Sequence, residues 1–93
     1  GWAVMKGVPG NRINLKNAKY KDDPTPLAAD YDIKASNFYS KAYIHHLIKA
    51  QEMLSMQILS QHNVYVMNLL MSDIRTAIAE DTLDACEKEW RCL

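Results

Sequence analysis

The sequence predicts an α+β fold that is mostly helical: an N-terminal β-hairpin, a proline-containing connector, and then two or three helices, one of them long. Two periodicities predict this fold. Polar and apolar residues alternate over Arg12–Lys16, as in a half-buried strand, whereas apolar residues recur every three to four positions from Leu54 to Ile78, as in a helix. The length of 93 residues suits one small domain, so we expect residues 1–93 to fold as a single unit.

The hairpin is predicted for residues 1–20. Val4 comes before a cluster of turn-forming residues at 7–11, and the alternating strand follows that cluster. Residues 21–36 are predicted to be an irregular connector, because the prolines within it disfavour helical backbone at and before their own positions. Everything after the connector follows a helical pattern.

The helical part, residues 37–93, is predicted to contain three pieces. The first helix is expected over about 37–50 and the second over about 51–79. A third, short helix is predicted after Asp81, whose carboxylate would cap its N-terminus. The inner faces are predicted to carry Tyr43, Leu47 and Ala50 in the first helix; Leu54, Ile58, His62, Val66, Leu69, Leu70, Ile74 and Ile78 in the second; and Leu83, Cys86 and Trp90 in the third.

Charge and composition narrow the classes of function. The net charge is zero, but residues 1–50 carry eight Lys and Arg against four Asp and Glu, and residues 51–93 carry three against seven. A basic half can face phosphates, and it can equally neutralise the acidic half or a neighbouring copy. Cys86 and Cys92 match neither a zinc knuckle nor a disulfide framework, so we expect free thiols and an intracellular location, cytoplasmic or organellar. No apolar window reaches the length of a transmembrane helix.

Two short motifs resemble a known family. Residues 39–47 read Tyr-Ser-Lys-Ala-Tyr-Ile-His-His-Leu, and the pair His62–Asn63 follows. Both resemble the C-terminal region of the tRNA-guanine transglycosylases, which insert queuosine-type bases into tRNA, and the likeness runs over about 10–78. The family has a C-x-C-x-x-C cluster before the first motif, and its three thiolates bind zinc together with the histidine of the second.

The resemblance implies a zinc site whose cysteines are missing from this chain. Zinc sites usually take four ligands from Cys and His, with carboxylate as a poorer substitute. Of the implied ligands only His62 remains, and Asp30 and Asp32 would give a weak, solvent-accessible site. We therefore expect no cofactor and no zinc, with His62 as a packed histidine and Phe38 among the residues that fill the space. At the cysteine positions the chain has Tyr31, Ile33 and Ser36.

The resemblance also implies a contact surface. In the family the helix corresponding to 37–50 contributes to contacts between subunits, and Tyr39, Tyr43 and His46 match positions of its aromatic surface. Tyrosine and histidine suit an interface because each has an apolar body and a polar tip, although Tyr43 could equally be a core residue. We expect a protein partner or a second copy of the chain at this helix. His45 and His46 point about 100° apart on a helix, so they are poorly placed to hold one metal or to relay a proton.

Contact with RNA is a further expectation. The simplest interpretation of the lysines that follow the predicted strand is that they lie on a solvated strand edge, where their charges discourage pairing with another chain. No arginine-rich or aromatic-interleaved patch accompanies them, which argues against a dedicated RNA-binding surface. If RNA is bound, the candidates for phosphate contacts are Arg12, Lys16, Lys19 and Lys21.

Two further departures from the family bear on structure and function. The family usually has glycine where Gln51 and Ser55 stand, so the break between the first two helices is expected to be weaker here. Full-length members carry a TIM barrel whose aspartates exchange the base, and a barrel takes about 200 residues or more, so the chain by itself is not expected to be an enzyme. The leading hypothesis is a non-catalytic scaffold or interaction module, a subunit of a larger assembly. The alternative is the C-terminal part of a tRNA-guanine transglycosylase acting in queuosine tRNA modification, with its barrel on another segment or chain.

Overall fold

The computed structural model describes residues 2–6 and 11–90, and these residues have the predicted α+β, mostly helical architecture. The long helix sets the longest dimension of the molecule, 46 Å, because its 28 residues span about 42 Å at 1.5 Å per residue. The elements within the described residues are β1 (Trp2–Val4), β2 (Arg12–Asn14), α1 (Lys34–Asn37), α2 (Lys41–Lys49), α3 (Met53–Glu80) and α4 (Leu83–Trp90).

The two strands form the predicted antiparallel hairpin. Ala3 pairs with Ile13 at its centre, and the strand alternation continues to Leu15, which is fully buried while Arg12 is exposed. Most of the predicted turn cluster, residues 7–10, lies outside the described residues. The rest of the segment predicted as hairpin is not extended, because the chain makes a short 3-10 turn after β2.

The connector determines where α2 begins. The first N–H groups of a helix have no partner within the helix, and here Lys41 N donates to the carbonyl of Thr25 and Ala42 N donates to that of Asp23. Ser40 supplies the N-cap, since its hydroxyl accepts from Tyr43 N at 3.0 Å. The proline-containing segment is therefore fastened to the start of α2.

The helix boundaries differ from the prediction in the first piece. The predicted helix over 37–50 is two helices, because α1 begins three residues early, at Lys34, and Ser40 has extended backbone (ψ 156°). This interruption changes which side of α2 faces the core. The prediction that Tyr43, Leu47 and Ala50 form the inner face is wrong in its register: Tyr43 and Ala50 are exposed, Leu47 is half-buried, and the buried residues are Ile44 and His45.

The break between α2 and α3 is sharp, contrary to the expectation of a weaker one. Gln51 adopts the left-handed conformation (φ 57°) that glycine adopts most easily. Ser55, the second position where the family has glycine, is buried, and its hydroxyl donates to the carbonyl of Glu52. The chain therefore makes this turn with a non-glycine residue in a strained conformation.

The end of α3 also corrects the sequence interpretation. Asp81 is left-handed (φ 57°) and forms the C-cap of α3, rather than the predicted N-cap of α4. On α3 the buried residue of the last turns is Ala77, whereas Ile78 is exposed. On α4 Cys86 and Trp90 are buried as predicted, but Leu83 is exposed.

The apolar core has two clusters, and α3 contributes to both. The first cluster joins the hairpin, the connector, α2 and the first half of α3; the second joins the second half of α3 to α4. Trp90 anchors the second cluster, and its indole N–H donates to Asp73 Oδ2 at 3.0 Å. Lys6 fastens the hairpin to this end of the molecule, since its ammonium pairs with Asp73 and with Glu89.

Candidate functional site

His62 lies fully buried on the inner face of α3, between the two core clusters. Each of its ring nitrogens has a partner on a different segment of the chain. Nδ1 lies 2.8 Å from Ser36 Oγ on α1, and Nε2 lies 2.9 Å from the carbonyl oxygen of Val4 on β1. One imidazole thus joins three segments that are distant in sequence. We call Ser36, His62 and Val4 the His62 junction.

The partners determine the protonation of the ring. The carbonyl of Val4 can only accept, so Nε2 carries a hydrogen and donates it. In a neutral ring Nδ1 then holds a lone pair, and it accepts from the hydroxyl of Ser36. Burial lowers the pKa of His62 below its ordinary value of 6.5, and the hydrogen bond to Val4 only partly opposes this effect. The neutral ring is therefore the form that suits the site.

Asn63 extends the junction along β1. Its Oδ1 accepts from Val4 N at 2.8 Å, and its Nδ2 donates to the carbonyl of Trp2 at 3.1 Å. Together with His62 it satisfies backbone groups of β1 that do not bond to β2. The His-Asn pair therefore bonds to the edge of β1 as a third strand would. Without it, these backbone N–H and C=O groups would have no hydrogen-bond partner from the sheet. The sequence motif marked this pair, but nothing in the sequence indicated what Asn63 bonds to.

The structure brings three of the four positions of the implied zinc site together, and Ile33 packs against the first core cluster. Tyr31 stacks on His62 with ring centroids 6.1 Å apart, and Ser36 bonds to Nδ1. Phe38 was expected to help fill this space, and this prediction is wrong, because Phe38 is 65% exposed. At two of the cysteine positions His62 thus meets a phenol and a hydroxyl rather than thiolates.

These residues do not fit a zinc ion. A zinc ligand must offer a free lone pair, and the lone pair of His62 Nδ1 is already engaged by Ser36. Burial raises the pKa of Tyr31 above its ordinary value, so its phenol stays protonated near neutral pH. Asp30 and Asp32 are exposed. Across residues 2–6 and 11–90, no three His, Cys, Asp or Glu side chains are grouped so that they could hold a metal ion.

Two of the three predicted interface residues, Tyr39 and Tyr43, lie in a row of aromatic rings that contact one another. Phe38 meets Tyr39 edge to face at 5.1 Å, and Tyr39 stacks on Tyr43 at 5.6 Å. Tyr39 is half-buried against the first cluster, whereas Tyr43 is 43% exposed and is therefore not the core residue that the alternative interpretation made it. His46 is exposed on the same helix. The interface role assigned to these residues stays a prediction. We call Phe38, Tyr39 and Tyr43 the aromatic patch.

His45 has a structural role that the sequence did not reveal. It is buried, and its Nδ1 donates to the carbonyl of Leu15 at 2.7 Å, so it ties α2 to the end of β2. Its ring lies at a steep angle to that of His46, with centroids 5.7 Å apart. The two histidines thus serve different surroundings, in agreement with their predicted divergence on the helix.

The predicted RNA contacts lie on the exposed surface of β2 and the turn that follows it. The guanidinium of Arg12 lies over the ring of Trp2 at 4.5 Å, and the ammonium of Lys19 lies over that of Tyr20 at 5.1 Å. Both cations are therefore engaged with aromatic rings at the surface. Lys16 and Lys21 are exposed as well, and phosphate binding by all four residues stays a prediction.

The outer side of α3 carries a second row of apolar residues. At 100° per residue these positions fall within an arc of about 80°, opposite the arc that contains His62. The segment 53–72 contains no Lys, Arg, Asp or Glu. Among the described residues no helix is both long and apolar enough to cross a membrane. We call this row the outer stripe; all of its members are exposed, and they are Met53, Met56, Val64, Met67, Met71 and Ile78.

The chain resembles one family over almost its whole length. The model of the queuine tRNA-ribosyltransferase family matches residues 1–92, a longer stretch than the 10–78 over which the motifs are similar. A queuine tRNA-ribosyltransferase of Caulobacter vibrioides is 47% identical over 78 residues, which are 84% of this chain and 21% of that protein. One of Roseiflexus is 44% identical over 79 residues, 85% of this chain and 20% of that protein.

A third relative gives the same result. The queuine tRNA-ribosyltransferase of Mesorhizobium japonicum is 43% identical over 74 residues, which are 80% of this chain and 20% of that protein. This chain thus spans about a fifth of the length of the curated relatives that it matches. The extent of these matches, together with the placement of the His-Asn pair in the fold, leads to one conclusion: the chain belongs to the queuine tRNA-ribosyltransferase family.

Proposed function

We propose that this chain is a non-catalytic interaction module, derived from the C-terminal region of a tRNA-guanine transglycosylase and held as a subunit of a larger intracellular assembly. The observation that supports this proposal most is the outer stripe. A surface helix of an isolated protein normally carries polar and charged residues on its outer face, whereas α3 has exposed methionines on a stretch without charges. A helix that is apolar on two sides is stable in water when both sides are covered.

The chemistry of the exposed residues suits a protein partner. Methionine is flexible and polarisable, so a row of methionines adapts to the side chains that pack on it. A shallow groove of about 480 Å³ runs beside Val64 and is walled by Ile33 and Tyr65, and it would accept an apolar side chain of the partner. We infer that a helix of the partner lies along the outer stripe.

The aromatic patch adds a second contact region in this proposal. Phe38 meets Tyr39 edge to face, and the ammonium of Lys34 lies over its ring, 4.8 Å from the centroid. A rigid, exposed aromatic residue loses little conformational entropy on binding, which is why such residues dominate interface energies. Tyr43 and His46 are both exposed on α2 and offer polar tips, as the family resemblance implies for a subunit contact.

One experiment measures the proposed assembly directly. The protein is isolated from its native source under mild conditions, and the intact mass of the particle that contains it is determined. We expect a large, defined particle. A second preparation carries Val64→Lys and Met67→Lys, which place two charges on the outer stripe, and should leave the particle while retaining its helical circular dichroism. Ser72→Lys, an exposed substitution on the same helix but off the stripe, is the matched control and should remain bound.

The alternative proposal is that this region works within a zinc-free transglycosylase whose catalytic barrel lies elsewhere. The 47% identity to a protein named as a queuine tRNA-ribosyltransferase supports it. In that case the native particle would contain this chain together with a barrel-sized protein or segment, and supplying that barrel would restore exchange of guanine or queuine into tRNA. Absence of exchange under such complementation would remove this alternative and leave the interaction module.

An RNA contact through the basic residues predicts a different behaviour. Binding through phosphates releases counterions, so the affinity would fall steeply as salt rises. The variant Lys16→Ala with Lys21→Ala removes two exposed lysines that no ring contact holds, and it should flatten this dependence. RNA binding that is absent or insensitive to salt would exclude the role.

A further inference from the structure

We propose that the His62 junction is a metal-free clamp: the hydroxyl of Ser36 occupies the coordination direction of His62 Nδ1, and the folded chain neither needs nor takes up zinc. This inference is independent of the proposed interaction. It begins from the observation that both nitrogens of a fully buried imidazole are already satisfied by the chain itself. A metal would have to displace one of these two bonds.

The geometry leaves only Nδ1 as a possible ligand atom. Nε2 faces the carbonyl of Val4 at 2.9 Å and must carry the hydrogen, so it has no lone pair to offer. Nδ1 has the lone pair, and Ser36 Oγ stands 2.8 Å away along it. A zinc ion at that nitrogen would lie about 2.0–2.1 Å away, within the space between the two atoms, and would have to expel a buried hydroxyl.

The surroundings complete the case against a metal. A hydroxyl and a phenol keep their protons near neutral pH, whereas zinc ligands must be deprotonated. None of the other histidines and cysteines in the described residues joins His62 in a metal-binding group. His45 is bonded to the carbonyl of Leu15, His46 is exposed on α2, and Cys86 is buried in the second cluster. The clamp therefore has one histidine and no second ligand.

The clamp joins segments of the chain as a bound structural metal would. It ties α1, β1 and α3 together at one buried point, and it does so at the boundary between the two core clusters. Each bond crosses a long sequence separation, 26 residues to Ser36 and 58 residues to Val4. Loss of either partner leaves a buried polar atom unsatisfied, which destabilises a fold more than the bond itself would suggest.

The first test uses the unaltered 93-residue chain. It is purified without chelator, its zinc content is measured by mass spectrometry of the elements, and its thermal unfolding is followed with EDTA and with added zinc. We expect zinc far below one ion per chain and the same Tm in all three conditions. Zinc near one ion per chain, or a Tm that falls with EDTA, would overturn the proposal.

The second test asks whether the hydroxyl of Ser36 acts as the clamp requires. Ser36→Ala removes it, and Ser55→Ala removes the hydroxyl of another buried serine, which bonds within its own helical turn, to Glu52. We expect Ser36→Ala to lower the Tm by about 5 °C or more, beyond the fall caused by Ser55→Ala. Equal falls in the two variants would contradict a clamp across segments.

A spectroscopic measurement keeps the proposal testable even if Ser36→Ala does not fold. In the unaltered chain, long-range ¹H–¹⁵N correlation spectra report which ring nitrogen of His62 carries the hydrogen. We expect a protonated Nε2 and an unprotonated Nδ1 whose resonance does not move when zinc is added. A shift of the Nδ1 resonance at equimolar zinc would show that the metal displaces Ser36, and the clamp would be wrong.

Discussion

The two sides of α3 carry similar apolar residues but have opposite environments. On the inner side Ile58, His62 and Val66 are buried, and His62 bonds to two other segments. On the outer side Val64 and Met67 are exposed, although Val64 lies only two positions from His62 and Met67 directly follows Val66. The inner side is covered by other parts of this chain, whereas the outer side is exposed, and in our proposal a partner covers it.

This difference teaches that apolar periodicity alone does not identify a core. A helix with one apolar stripe shows its inner side in the sequence, but α3 has two stripes, so its pattern fits either orientation. What distinguishes the sides is the polar chemistry within them. A buried histidine needs partners for both ring nitrogens, and only the inner side provides them. We expect the two sides to differ as strongly in energy as they do in structure.

The largest effect is expected from His62→Phe. Phenylalanine keeps an aromatic ring in the site but removes both hydrogen bonds, which leaves the buried Ser36 Oγ and the half-buried Val4 carbonyl without their partner. Each such group costs roughly 1–3 kcal/mol, so the free energy of unfolding should fall by about 2–5 kcal/mol in chemical denaturation. Val64→Ala, two residues away on the outer stripe, is the control and should change it by less than about 0.5 kcal/mol. Similar losses in both variants would contradict the difference between the two sides.

The stability of the inner side should also depend on pH. The pKa of His62 is lower in the folded chain than its ordinary 6.5, so below pH 6.5 the unfolded chain binds this proton first. The contribution of neutral His62 to the free energy of unfolding is therefore complete above pH 6.5. It is lost as the pH falls towards the folded pKa, by at most about 1.4 kcal/mol per pH unit. Urea unfolding at several pH values between 7.5 and 5 measures this loss of stability, because histidine changes its charge in this pH range. The His62→Phe chain lacks the group and should lose this part of the slope; an identical slope in both chains would show that His62 is not its source.

Much of the fold follows from the sequence, and the elements that do not follow have identifiable reasons. The hairpin and the long helix were predicted because each has a single clear period over its length. The inner face of α2 was predicted one step out of register, since nothing in the sequence shows that Ser40 resets the helix and turns Ile44 inwards. Ala77 was passed over in favour of Ile78 because both stripes of α3 are apolar and the larger residue looked like the core one.

The candidate site was predictable in its residues but not in its bonds. The family resemblance placed Ser36 and His62 at one site, and the structure brings them within 2.8 Å of each other. The hydrogen bonds of His62 and Asn63 to β1 join residues 58 to 61 positions apart, and no local pattern encodes such contacts. The burial of His45 was likewise hidden, because its partner is a backbone carbonyl, which every residue has.

A smaller effect, and of opposite sign, is expected at the ends of α3, which belong to neither side. Gln51 has the left-handed backbone conformation just before α3 begins. This conformation costs a residue with a Cβ about 1 kcal/mol relative to glycine. Gln51→Gly should therefore raise the free energy of unfolding by about 0.5–1 kcal/mol. Asp81→Gly is the matched comparison at the other end; it should gain less, because aspartate tolerates the left-handed region better than glutamine does. A loss of stability in Gln51→Gly would mean that the Gln51 side chain contributes more than its backbone costs.

The smallest effect on stability, and the most informative one for function, is expected from Met67→Ser on the outer stripe. Met67 is 45% exposed and contributes little to either core cluster, so the free energy of unfolding should change by less than about 0.5 kcal/mol. In the native assembly the same side chain would be covered by the partner, and its loss there should weaken binding as removal of a buried apolar side chain does, by about 1–3 kcal/mol. Unfolding of the isolated chain and release from the assembly are therefore measured on the same variant. A variant that unfolds more easily but stays fully bound would place Met67 in the core, and the outer side of α3 would then be completed by this chain and not by another.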